Sequence, residues 1–120
     1  MGKPLVLVID DDRIVADTFA MILNTNGFDA VVAYSGKAGV DAAQKVAFDF
    51  LVTDVVMHEM NGIEAANEIR ELLPECKVVL ISGNNDTAAL LKEAESRGQH
   101  FQILPKPVHP TALLEALKEP

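Results

Sequence analysis

Short apolar runs alternate with stretches of helical periodicity from one end of the chain to the other. Five runs read as strands: Leu5–Ile9 and residues 30–33, 50–53, 78–81 and 101–104. A continuous apolar run of about five residues marks a strand buried on both faces of a parallel sheet. After the first run, Val15, Phe19, Ile22 and Leu23 recur at helical spacing, and Gly27 supplies a stop. Ser35 is placed to cap a second helix carrying Ala38, Ala42, Ala43 and Val46. A third helix, residues 62–73, is expected to bury Ile63, Ala66, Ile69 and Leu73, and Pro74 prevents its continuation. A fourth is expected over about residues 86–97 with Gly98 as its stop, and a fifth begins near Pro110. The pattern is (βα)5. Strict alternation implies right-handed crossovers and a doubly wound parallel five-stranded sheet, for which the order 2-1-3-4-5 is expected, with the first and third strands flanking the switch point.

Composition narrows the class without altering this picture. With 120 residues and no Pro/Gly/Ser-rich linker, residues 1–120 are expected to form a single domain. Ten Lys plus Arg against eighteen Asp plus Glu leave a net charge of −8, which argues against direct nucleic-acid binding, since phosphate contacts need a basic patch. No stretch reaches the roughly 18 apolar residues of a membrane span, so membrane insertion is not expected. The single cysteine, Cys76, cannot form an internal disulfide, and a reducing, cytoplasmic setting is the expectation. No histidine stands near it in sequence, so it reads as a small residue opening a strand rather than as a nucleophile.

Candidate chemistry gathers at the strand ends. The first run passes straight into Asp10-Asp11-Asp12 and the third into Asp54, so these carboxylates should emerge together at the carboxyl edge of the sheet, where open α/β sheets bind ligands. Two like charges at ~4 Å in an effective dielectric of ~20 repel by about 4 kcal/mol. The site therefore asks for a divalent cation or a proton, and oxygen-only donors point to Mg²⁺. Asp12 directly precedes a helical pattern and reads as its N-cap. The fourth run ends in Ser82-Gly83, a hydroxyl beside an unobstructed backbone, and the fifth in Lys106-Pro107, which adds an ammonium. Carboxylates, a hydroxyl and a lysine around a cation are what a phosphoryl group requires.

These pieces, together with Met57 and Asn61-Gly62 after Asp54, stand in one order along almost the whole chain. In that order they resemble the receiver domains of two-component response regulators. The resemblance implies a flavodoxin-like fold and makes Asp54 the acceptor of a phosphoryl group from a sensor histidine kinase, a phosphotransfer protein or a small acyl phosphate. It implies that Asp11 binds Mg²⁺ directly, with Asp10 helping directly or through water, Asp54 giving an oxygen, and the backbone carbonyl of Val56 completing the protein ligands. Ser82 and Lys106 would each engage a phosphoryl oxygen, and the Lys106-Pro107 peptide would be cis. Phosphorylation would then remodel the face built from the fourth helix, fifth strand and fifth helix, changing contacts with an output domain, an effector or a second copy of the chain.

The chain departs from that family pattern at three places. His58 stands four residues after Asp54, where proline is frequent, and Ile103 stands three before Lys106, where an aromatic switch residue is usual; Phe101, two residues earlier, is its candidate substitute. Val56 and Asn84 occupy the variable flanking positions. His58, His100 and His109 show no metal-ligand spacing. Two other readings compete. Asp10-x-Asp12 after an apolar strand resembles the nucleophile motif of Mg²⁺-dependent haloacid-dehalogenase-type phosphohydrolases, although Arg13 and Ile14 supply no hydroxyl and the chain has no room for a substrate cap. A receiver-like interaction module that is never phosphorylated would show normal partner binding in Asp54→Asn.

Overall fold

The computed structural model describes residues 2–83, 89, 92, 95–96 and 101–118. Among the described residues nine elements are bounded: β1 (Leu5–Ile9), α1 (Arg13–Asn24), β2 (Asp29–Ala33), α2 (Gly36–Lys45), β3 (Phe50–Asp54), α3 (Gly62–Leu72), β4 (Lys77–Ser82), β5 (Gln102–Pro105) and α4 (Pro110–Ala116). All strand pairs are parallel, in the order β2-β1-β3-β4-β5. The sheet order is thus the expected one, with β1 and β3 side by side. The fourth helix expected from the pattern lies outside the described residues, apart from Ala89, Lys92, Glu95 and Ser96, which are helical.

The apolar runs are explained by burial on both faces. Along β1, Leu7 and Ile9 face a core shared with Leu51, Leu80, Val40, Ile63 and Ile69, beneath α2 and α3. Val6 and Val8 face the opposite core with Val52, Val79, Ile81, Leu23 and Leu113, beneath α1 and α4. Each side of a central strand therefore needs an apolar side chain, and alternation disappears.

Helix starts are set by polar side chains satisfying free backbone N–H groups. Asp12 Oδ1 accepts from the N–H groups of Ile14 (3.0 Å) and Val15 (3.3 Å), which makes it the N-cap of α1. Ser35 caps α2 by accepting from Ala38 N–H. Asn61 and Glu64 form a reciprocal capping box at the start of α3, each side chain accepting from the other's N–H at 2.9 Å. His109 Nδ1 accepts from Thr111 N–H before α4, with Pro110 in its first turn.

Helix α2 differs from the sequence expectation in phase. It buries Gly36, Gly39, Val40 and Ala43, while Val46 is its exposed C-cap. The inward stripe is set by glycine, because a Cβ at residue 39 would come 2.8 Å from Ile9 Cγ1. A helix lying this close to β1 turns its smallest residues toward the sheet, and apolar periodicity does not register them.

Candidate functional site

The sheet register carries the reactive groups to one edge. Ile9 pairs with Thr53, Asp54 with Ile81, and Ser82 with Pro105, so the ends of β1, β3, β4 and β5 meet there. Backbone hydrogen bonds continue past the strands, from Asp10 N–H to Ala33 O (3.2 Å), Val55 N–H to Ile81 O (3.1 Å) and Lys106 N–H to Ser82 O (2.9 Å). Asp10, Ser82 and Lys106 are therefore held by the sheet rather than by mobile loops.

Asp10, Asp11 and Asp54 each offer a carboxylate oxygen, and the three oxygens lie within 4.8 Å of one another. Asp10 and Asp54 are buried, at 3% and 6% exposure, while Asp11 reaches the surface. Burial pushes the Asp10 carboxyl up to about 6; a hydrogen bond from Asp12 N–H opposes this, and the neighbouring Asp54 charge adds to it. Burial likewise raises Asp54 above the usual carboxylate range, against the hydrogen bond and charge of Lys106. Lys106 Nζ lies 3.1 Å from Asp54 Oδ1. Its stem crosses Gly83, where a Cβ would stand 2.7 Å from Lys106 Cδ, so the approach that Gly83 leaves open is filled by the lysine itself.

Three clustered oxygen donors, two of them buried with the charged form disfavoured, fit a hard divalent cation that would replace the missing compensation. Asp12 takes no part in the cluster, because its side chain is committed to the N-terminus of α1. That commitment weighs against the phosphohydrolase reading, whose motif counts Asp12 as part of the reactive site. Val56 sits two residues beyond Asp54 with half its surface exposed. The Lys106-Pro107 peptide is cis.

The model of the response regulator receiver domain matches residues 6–118. The chain belongs to this family. Receiver domains are signalling domains of two-component systems rather than classical enzymes. A response regulator receiver protein of Anaeromyxobacter sp. is 34% identical over 91% of the chain, which spans 45% of that relative. The chemotaxis protein CheY of Thermotoga maritima is 29% identical, with 99% of the chain and 98% of CheY aligned. A solved receiver domain protein of Clostridium thermocellum superposes with a TM-score of 0.86 at 25% identity, covering 96% of the chain and 91% of that protein. The chain thus spans less than half of the first relative and nearly the whole of CheY.

Against that family background two features stand out. Phe101 precedes β5 and packs, partly buried, against the core beneath α2 and α3, while Ile103 is 42% exposed on the same strand face. Asn84 lies outside the described residues. The second feature was invisible to spacing. His58 N–H donates to Asp11 Oδ2 at 3.1 Å, and its Nε2 lies 3.9 Å from the same oxygen, although the two residues are 47 positions apart. Only the return of the loop after β3 to the end of β1 brings them together. Nearby, Tyr34 O–H donates to Asp17 Oδ1 at 2.6 Å and the Arg13 guanidinium lies 4.2 Å from the Tyr34 ring centroid, tying α1 to the end of β2.

Proposed function

We propose that this receiver domain is a phosphorylation switch in which Asp54 is the phosphoacceptor. The observation that carries the reading is the buried Asp54 carboxylate, held 3.1 Å from Lys106 Nζ and grouped with Asp10 and Asp11. In the step proposed, an Asp54 oxygen attacks the phosphorus of a phosphohistidine or an acyl phosphate. The new P–O bond replaces the P–N or P–O bond to the donor, and the donor leaves with the electron pair. Lys106 neutralises charge on the transferred group, and Ser82, at the neighbouring strand end, donates a hydrogen bond to it. Asp10, Asp11, Asp54 and the Val56 carbonyl are the proposed ligands of Mg²⁺, which would supply charge neutralisation when bound.

The proposed donor is a sensor histidine kinase or a phosphotransfer protein, in a cytoplasmic setting. The output is a change in contacts with an output domain, an effector or a second copy, through the face that includes β5 and α4. The chain assists its own phosphorylation and dephosphorylation without turning over an external substrate. Residues 1–120 act as one domain in this reading. No described helix is long and apolar enough to cross a membrane.

The test is intact-mass spectrometry after incubation with Mg²⁺ and acetyl phosphate. One phosphoryl adduct is expected on the wild type and none on Asp54→Asn; an adduct that survives this substitution overturns the assignment.

A further inference from the structure

His58 places a nitrogen donor beside an otherwise all-oxygen cluster. Its backbone N–H holds Asp11 Oδ2 at 3.1 Å, which anchors the residue against the site, and its ring Nε2 stands 3.9 Å from that oxygen. Two donors bonded to one cation at about 2.1 Å can be up to about 4.2 Å apart, so this separation lies within the span of a shared ion. The His58 side chain is 94% exposed and free to turn, whereas the Asp11 side chain, at 29%, is the outermost of the three carboxylates. The donors that lie within 4.8 Å of one another are those of Asp10, Asp11 and Asp54, so the exposed imidazole, already close to Asp11, would reach an ion shared with all three by turning toward them from the solvent side. We propose that His58 is a nitrogen ligand of the cation held by Asp10, Asp11 and Asp54, and that it shifts the site's preference from Mg²⁺ toward transition ions such as Mn²⁺, Co²⁺ and Ni²⁺.

The chemistry of the donors gives the direction. Mg²⁺ favours oxygen and water and gains little from imidazole, whereas affinity for nitrogen rises through the first-row divalent ions from Mn²⁺ to Ni²⁺. A neutral ligand also completes the shell without adding a negative charge to three crowded carboxylates. The inference rests on the reading that these carboxylates hold a divalent ion.

Isothermal titration of the 120-residue chain with Mg²⁺ and with Ni²⁺ tests it in wild type, His58→Ala, His58→Gln and Asp11→Asn. Removing the imidazole is expected to weaken Ni²⁺ by about tenfold or more while Mg²⁺ changes less than about twofold. Asp11→Asn should weaken both ions, which locates Ni²⁺ in the cluster and not at another histidine. Unchanged Ni²⁺ affinity in the His58 variants overturns the proposal. An equal loss of both ions overturns it too, since His58 would then only position Asp11. Failure of the wild type to bind Mg²⁺ at all removes the carboxylate site itself, an outcome separable from the other two.

Discussion

Asp10 shows how one side chain sets a conflict between folding and function. Its carboxyl titrates near 6 in the folded chain, because burial disfavours the charged form, against roughly 4 for an unfolded aspartate. An acid whose folded value is raised binds its proton more tightly when folded. The stability it contributes is complete below about pH 4 and is lost as the pH rises through about 6. Without a divalent ion, the wild type should therefore lose about 2 kcal/mol through this group between those limits. Asp10→Asn cannot titrate, so in chelator it should be more stable than wild type by about that amount at pH 7.5 and nearly equal to it at pH 4. Urea denaturation at the two pH values measures both differences; a variant that is less stable at pH 7.5 would contradict the burial argument. Asp54 shares the direction of shift, moderated by Lys106 at 3.1 Å.

At the scale of elements, what the sequence disclosed depended on whether the signal was local. The N-caps Asp12 and Ser35 announce their helices because a capping side chain reaches only two or three residues along the chain. The strand ends bearing Asp10, Asp54, Ser82 and Lys106 were equally legible, since apolar runs show where each strand stops. The phase of α2 was not legible: Gly39 is buried by its closeness to Ile9, and glycine carries no apolar signature. His58 stood out as a departure after Asp54, but its contact with Asp11 was not legible for a related reason, the partner lying across a loop closure. Gly62 at the start of α3 combines the two kinds of information. A Cβ there would meet the backbone of Asp54 and Val55, with 2.9 Å to Asp54 C and 3.0 Å to Val55 Cα, and Gly62 N–H also donates to Val55 O at 2.8 Å. Backbone has no rotamer with which to give way, so Gly62→Ala must displace α3 or the end of β3. The expected cost is about 1–3 kcal/mol in thermal or urea unfolding, together with slower phosphorylation by acetyl phosphate because Asp54 moves. Wild-type phosphorylation at reduced stability would show that α3 alone had yielded.

Across the whole molecule, the sheet order turns two distant sequence features into one carboxylate cluster. β1 and β3 are neighbours in the order β2-β1-β3-β4-β5, so the chain gathers carboxylates from residues 10, 11 and 54 at its switch point while its net charge is already −8. Proton and cation are then alternative ways of relieving the same repulsion, and their effects on stability must be linked. A ligand that binds only the folded state adds RT ln(1 + [L]/Kd), or about 1.4 kcal/mol at ten times Kd, which raises the melting temperature of a domain this size by roughly 4–6 °C. At pH 7.5 Mg²⁺ at that level should produce such a rise. Below about pH 5 Asp10 carries a proton, and the ion must displace it before it can bind. Melting curves recorded with and without Mg²⁺ should therefore converge toward pH 5 and separate above pH 7, the metal-free protein losing stability over the interval in which the metal-bound protein keeps it. Asp11→Asn should narrow the separation at pH 7.5 by removing a donor. A separation of equal size at both pH values would mean that the ion binds away from Asp10, and that the buried carboxylates are relieved by some other means.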